Sequence, residues 1–524
     1  MMTRDWMRTI VRGAVVVGLI GTVAAGNARA QTPPAGAQTP PQSGGTLSLT
    51  MEQAVALGLE FNLGLKSDRL NLDVASQSIV MSRAAFLPQV STAFTNRSAK
   101  SLPSDFTQGS SDITSAGMNV TASVGQQLRW YGASYSASWN GNRSTQTGGI
   151  SSFNPRLGSG LTASFSQPLL RGFRTNSART GLVTSEKNRE ITDLQLQAQV
   201  VQTESSVRLA YLGLVGAIEG KKVAESNMAI AEKSLQQSKA RVAVGQSPEI
   251  EIIQSEAQLA GTRVSLLQAS VRISTAEDSL RTLILDPSRP DYWTVHLEPT
   301  QAITLVKREI NPDEAIKTAL ANRLDLAAQK RSLEVTDLNL ALSKDSTLPG
   351  VDFTAGYSAS GTAGTQFVFG SGFPPPVVDS SSRSFAGALG DTFGGAYPAW
   401  SLGVNVTYPI GRTAAEASYA QAQVRKKQQL MTLEQLQIEI VRQVRDAARQ
   451  VENSYQQVQA TQALREAAEQ QYQAEQRRFA AGMSTTLDLQ IRERDLGSAK
   501  VTELTAMIDY NRALINFDRV QRAQ

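Results

Sequence analysis

Cysteine is absent from this chain, and histidine occurs once, at His296. Without thiols there is no disulfide framework, no Cys nucleophile and no Cys-based metal site. A single histidine removes paired-imidazole metal binding, and His296 reads as a linker residue without a chemical role. Aromatic residues make up only 6% of the chain, and no basic stripe interleaves with them, so nucleic acid is not an expected partner. Beyond the N-terminal segment, no apolar run approaches the roughly 18 residues that mark a membrane-spanning helix. If the chain crosses a membrane, it does so as strands of a closed barrel, because only helices and barrels satisfy every backbone group in lipid. Proline is missing between Pro168 and Pro248 and again after Pro409. These two gaps leave room for very long helices. Gly361 to Gly372 is glycine-rich but lacks a lysine and a following helix, which excludes a P-loop. Acidic residues are scattered along helical stretches and do not form a catalytic pair. No enzymatic activity, cofactor or metal site is expected.

The N-terminus reads as an address. Arg4, Arg8 and Arg12 form a positive segment, Ala14 to Ala25 a short apolar run, and Ala28-Arg29-Ala30 a small-residue cleavage site. Cleavage there predicts a mature chain beginning at Gln31, with no cysteine to carry a lipid anchor. It removes four arginines and Asp5 and lowers the formal net charge from +5 to +2, so the high pI says little about nucleic acid. Residues 31–45, rich in Pro, Gln, Thr and Gly, read as a flexible lead-in.

The remainder of the chain is written twice. Shifted by 261 positions, Ala54-Val55 falls on Ala315-Ile316, Leu63 and Leu65 on Leu324 and Leu326, and Leu87-Pro88 on Leu348-Pro349. Further on, Gln167-Pro168 pairs with Tyr408-Pro409, and Arg241 to Gly245 with Arg478 to Gly482. The period is too long for a solenoid unit. Two fused copies of one helix–strand–helix module are expected, over residues 46–298 and 299–524.

Each copy opens with helical spacing, from Leu49 to Ala85 in the first, which ends at Pro88 or Pro349. The character then changes to Ser, Thr, Gly and Asn with period-two alternation. Met118, Val120, Ala122, Val124 and Leu128 alternate with small polar residues, as do Ala133, Tyr135, Ala137 and Trp139, and Leu161, Ala163 and Phe165. In the second copy Val351 to Ala359 and Trp400 to Tyr408 repeat the pattern, separated by a long Gly/Ser loop. Runs of about ten residues with aromatics near their ends fit membrane-spanning strands with interfacial girdles. The alternation alone fits a soluble sandwich equally well. Arg129 to Gly132 reads as a hairpin turn, with Gly132 free to adopt a positive φ. Pro88 to Pro168 spans 80 positions and Pro349 to Pro409 only 60. The excess of 20 coincides with this hairpin and leaves room for four strands rather than two in the first copy.

Long helical hairpins come next, over residues 175–285 and 413–520. Each outgoing helix runs to a glycine, Gly245 or Gly482, that suits a helix C′ position. At 1.5 Å per residue it reaches roughly 100 Å. Leu430, Leu433, Ile440, Val444, Ala447, Val451 and Val458 form a heptad-like stripe. Gly213, Gly216 and Gly220 weaken the first long helix in its middle, where they permit a bend or a close contact. Ser484 or Thr485 can cap the returning helix.

In this order and at these spacings, the chain resembles the TolC-like outer membrane efflux family over almost its whole expected mature length. The resemblance is carried by the repeat, the junctions at Pro88, Pro168, Pro349 and Pro409, and the strand ends Ser166 to Gly172 and Val406 to Arg412. The tips Arg241 to Glu251 and Arg478 to Leu489 complete it. It implies an α+β membrane protein: a trimeric outer membrane β-barrel continued by a long α-helical barrel of antiparallel coiled-coil hairpins. Such a protein is a passive conduit. Its implied partners are two further copies, outer membrane lipid, a periplasmic adaptor and an inner membrane transporter. The competing readings are a soluble periplasmic coiled-coil scaffold and an adaptor protein.

The resemblance also implies a gate at the tips. Its aromatic, three residues before the tip glycine, is Phe479; its carboxylate, six after, is Asp488, matched in the first copy by Glu251. Ser484 stands where the family carries an arginine, and Ile491 where it carries a second acid, so fewer polar latches are expected. Asp488 and Glu251 also fit plain helix N-terminal carboxylates, favoured by the macrodipole. The charge run Arg492-Glu493-Arg494-Asp495 reads as a solvated or inter-helix face.

Overall fold

The computed structural model describes residues 45–103, 112–147, 150–302, 304–372, 375–408, 410–411 and 413–522. The leader expected over 1–30, the lead-in up to residue 44 and the junction at Pro409 lie outside the described residues.

The first half opens with β1 (Thr46–Leu49) and then two helices, α1 (Met51–Phe61) and α2 (Leu63–Ala84). One continuous helix was expected here. The correction comes from Asn62, whose Oδ1 accepts the backbone N–H of Leu65 at 3.0 Å and so starts a second helix at Leu63. Four strands come after it, as the 20-residue excess had room for: β2 (Gln89–Ser101), β3 (Ile113–Gln127), β4 (Ser134–Thr147) and β5 (Phe153–Pro168). The β3–β4 turn has Tyr131 at φ 51° and Gly132 at φ 71°. A Cβ on residue 132 would meet the Gly172 carbonyl at 2.6 Å, where β5 leads into the helices.

Next comes the hairpin of α3 (Ser177–Ala243) and α4 (Ile250–Ile284), then the short β6 (His296–Pro299). β6 pairs in parallel with β1 across 250 residues. His296 is therefore the first residue of a strand, not a linker residue, and the boundary drawn between 298 and 299 falls inside that strand.

The second half repeats the broken helix as α5 (Pro312–Asn322) and α6 (Leu324–Asp345), equal in length to α1 and α2. It continues with β7 (Gly350–Phe369), β8 (Val377–Arg383), α7 (Phe385–Phe393) and β9 (Pro398–Thr407). The region expected to be one Gly/Ser loop thus holds the upper end of β7, a strand and a helix. The last hairpin is α8 (Ala414–Ala480) and α9 (Thr486–Arg522). Like α3, α8 has 67 residues.

The sheet order is β2-β3-β4-β5-β7, all antiparallel, with β8 and β9 both on the far side of β7. β9 pairs with Gly350–Ala359 and β8 with Gly364–Phe369. The two occupy one lane, interrupted where α7 leaves it. Apolar cores lie among the helices. One joins α5, α6, α8 and α9 around Ile440, Val444 and Tyr510; another joins α1, α3 and α4 around Val207, Leu214 and Ile284. Of the predicted stripe, Ile440, Val444, Ala447, Val451 and Val458 are buried, Leu433 is partly buried and Leu430 is exposed. Gly216 makes a close contact, since a Cβ there would come within 2.5 Å of the Ile508 side chain; Gly213 and Gly220 face open space. Among the described residues no helix is long and apolar enough to cross a membrane.

Candidate functional site

The sheet has two chemically distinct faces. Directly opposed residues of antiparallel neighbours share a face. The register therefore puts Phe94, Val120, Trp139, Leu161, Phe353, Tyr357, Trp400, Leu402, Val404 and Val406 on one side. The opposite side carries Ser91, Ser123, Ser136, Ser164, Ser358 and Ser401. Hydroxyls pair across it, Ser91 with Ser123 and Ser136 with Ser164, each at 2.7 Å. On the apolar side Phe94, Trp400, Leu402, Val404 and Val406 are exposed. Both outer lanes, β2 and β9, are exposed along their whole length and, among the described residues, have no partner strand on their free edges.

The strands meet the helices through a polar clamp. Leu169 N–H donates to the Val351 carbonyl and Gly172 N–H to Asp345 Oδ2, both at 2.7 Å. Gln126 Nε2 donates to the Phe86 carbonyl at 2.8 Å. Pro88 and Pro349 precede β2 and β7, and Pro168 is the last residue of β5.

At the far end, both hairpin tips have the same backbone construction. Gly245 and Gly482 have φ of 75°, and each donates to the carbonyl three residues back, while the following residue reaches five back. This pair of hydrogen bonds needs a left-handed residue, which glycine supplies without a Cβ penalty.

The two tips touch. The Arg241 guanidinium lies 4.3 Å from the centre of the buried Phe479 ring. Thr486 Oγ1 donates to Glu251 Oε2, and Gln490 Nε2 to Ser255 Oγ. Glu251 is thus a link between hairpins. Asp488 has a different role. Its backbone N–H donates to Thr485 Oγ1, and its carboxylate accepts from the Thr485 hydroxyl at 2.6 Å and from its N–H. These bonds, the hydroxyl's first, hold the Asp488 carboxyl below its ordinary range. Thr485 is the cap; Ser484 instead donates to Glu475 Oε1. The structure brings Phe479 and Glu251 into contact with the neighbouring hairpin and leaves Asp488 and Gly482 exposed.

Of the solvated or inter-helix face expected of its charge run, Glu493 takes the inter-helix alternative. It is 8% exposed, accepts a hydrogen bond from Ser234, and its Oε2 makes none. Burial pushes its carboxyl up to about 7. It borders a cavity of about 510 Å³ between α3, α4 and α9, also lined by Asn227, Gln258, Arg272 and Arg494. The signal was present in the sequence: Leu489, Glu493 and Leu496 share one helix face, and both leucines are buried.

Known proteins share this construction. The model of the family described as "Outer membrane efflux protein" matches residues 131–284 and 315–520. The chain is 21% identical over 439 residues to the cation efflux system protein CusC of Escherichia coli (strain K12), covering 81% of this chain and 82% of that protein. It is 21% identical over 479 residues to the outer membrane efflux protein BepC of Brucella suis biovar 1 (strain 1330), covering 88% and 83%. Among solved structures, the Campylobacter jejuni CmeC outer membrane channel superposes with a TM-score of 0.63 at 16% identity, over 90% of this chain and 85% of that one.

Proposed function

Because this chain belongs to the outer membrane efflux protein family and is an outer membrane efflux channel, we propose that three copies close one β-barrel in the outer membrane and align their helical hairpins below it as a periplasmic tunnel. The observation that carries this is the sheet: one apolar face, one polar face and two unpaired edges. Six lanes are fewer than the roughly eight strands a closed barrel needs. In lipid an open edge leaves backbone groups unsatisfied. β2 runs away from the helices and β9 back toward them, so the β2 edge of one copy suits the β9 edge of the next as an antiparallel pair. The tandem repeat supports a pseudo-symmetric arrangement around one axis.

The conduit is passive. Substrate and energy reach it from an inner membrane transporter through a periplasmic adaptor at the hairpin tips. A cleaved leader over 1–30 delivers the chain. The tips form the gate: Gly245 and Gly482 shape them, Phe479, Ser484 and Glu251 hold them, and Asp488 supplies a ring of three carboxylates.

The apolar face is expected to contact lipid. Val404→Asp places an acid in the middle of the exposed band and disfavours insertion by about 2 kcal/mol or less. Outer membrane levels and heat stability of the mutant measure this; values equal to the parent's contradict the face assignment.

Three close carboxylates add their fields, whereas peripheral charges are screened over about 8 Å. Asp488→Asn is expected to lower cation selectivity and weaken block by divalent cations, and Glu251→Gln to do less. Planar-bilayer reversal potentials in asymmetric salt measure both. An unchanged potential in Asp488→Asn reduces Asp488 to its capping role.

A further inference from the structure

β7 is 20 residues long, about 66 Å at 3.3 Å per residue, yet a membrane strand needs only about 9–11 residues. About half of β7 therefore stands outside the hydrocarbon, and the outward face of the sheet shows which half. Alongside β9 that face is Trp400, Leu402, Val404 and Val406. Farther from the helices, the same face of the neighbouring lanes turns polar, with Asn96, Ser98 and Lys100 on β2 and Arg143 and Thr145 on β4.

α7 lies at this transition, on the apolar side. Phe385 and Ala388 pack against Trp139, Leu157 and Ala363. Thr392 Oγ1 donates to the Ser159 carbonyl at 3.1 Å. Glycine makes the shelf: a Cβ at Gly361 would run into the Ala388 backbone, and one at Gly141 would meet the Phe385 ring at 3.1 Å. The opposite side of α7, Ala386, Gly390 and Phe393, is exposed and uncharged. From Phe385 to Trp400 the one charged residue is Asp391, and Arg383 pairs with it through both guanidinium nitrogens. Phe393, Tyr397 and Trp400 are 65%, 65% and 75% exposed.

We infer that α7 and the turn to Trp400 form an interfacial collar, which lies on the outside of the barrel at the headgroup level of the outer leaflet and sets how deep the barrel sits. The occupant of its exposed side is lipid. The collar continues the apolar band of β9 without a break, its only charge is neutralised internally, and its exposed aromatics are of the type that settles at a membrane interface. This rests on the membrane-spanning reading of the sheet.

Single cysteines in the naturally cysteine-free chain test it. Phe393→Cys, Ala386→Cys, Val404→Cys and Ser381→Cys would each be labelled with bimane in the full-length protein, reconstituted in phosphatidylcholine vesicles. Labels at 393 and 386 are expected to be quenched at least twofold more by a headgroup nitroxide lipid than by a mid-chain one. Val404 should show the reverse, and Ser381 on β8 should be quenched by aqueous iodide. Adding Gly361→Val, which displaces α7, should raise iodide access at 393 but not at 404. Equal iodide quenching at 393, 386 and 381 would overturn the collar, placing the helix in water. So would 393 and 386 shielded from iodide and lipid alike, which would mean that a neighbouring copy covers them. If Val404 itself escapes lipid quenching, the membrane-spanning reading fails instead.

Discussion

Replacing Glu493 with Gln is expected to remove a pH-dependent loss of stability on the order of 3 kcal/mol. In the fold this carboxyl titrates near 7, raised from an ordinary 4.5 by burial. Below about 4.5 it is protonated in both folded and unfolded chains, and the fold keeps its full advantage. Between 4.5 and 7 the unfolded chain releases the proton and the folded one retains it, so stability falls as pH rises. Above 7 the loss is complete. Tyr472 on α8 faces the same group, and its own ionisation is pushed up by burial first and then by the Glu493 charge. Arg272 and Arg494 line the adjoining cavity. Gln keeps the shape without the charge. Urea unfolding from pH 4 to 8.5 should show the parent losing stability across the window and Glu493→Gln staying flat relative to it. Parallel profiles would contradict the assignment.

Arg323→Met is expected to destabilise the helical region by about 3 kcal/mol or more. The Arg323 side chain is 1% exposed. It donates two hydrogen bonds to Asp325, one to Gln443 Oε1 and one to the Val520 carbonyl, and so ties α6, α8 and α9 together. Its removal takes the guanidinium partner from Asp325, whose side chain is 23% exposed and keeps the Leu326 N–H. The matching residue of the first half, 261 positions earlier, is Asn62, which caps α2. Asn62→Ala should therefore cost only about 1 kcal/mol. Thermal unfolding in detergent ranks the two; equal losses would mean that Arg323 acts as an ordinary helix boundary.

Local signals made the long elements readable in advance. The proline-free stretches and their terminal glycines place α3 and α8 within a few residues, because a Gly at C′ and a side-chain cap at the start leave local traces. Alternation placed the core of β3, β4, β5, β7 and β9. What went unread depends on distant partners. β1 and β6 are four residues each and are defined only by pairing across the whole first half. α7 has nine residues, two of them glycine, and is held by the sheet beneath it rather than by its own propensity. The break at Asn62 was hidden because apolar spacing runs straight through it. At the tips the residue types were readable but their pairings were not. Glu251 binds Thr486 235 positions away, and Glu493 is buried by a helix more than 250 positions earlier in the chain.

Closure of one barrel by neighbouring copies is tested most directly by disulfide cross-linking in isolated outer membranes. The cysteine-free chain allows double-cysteine variants that join β2 at Val90, Thr92 or Phe94 to β9 at Leu402, Val404 or Val406. All six positions lie on the apolar face. Three-copy closure predicts that one register of these pairs gives a ladder of cross-linked chains ending at three, and that pairs joining an apolar-face to a polar-face position give none. No intermolecular product from any same-face pair, or a ladder ending at another number, would contradict it.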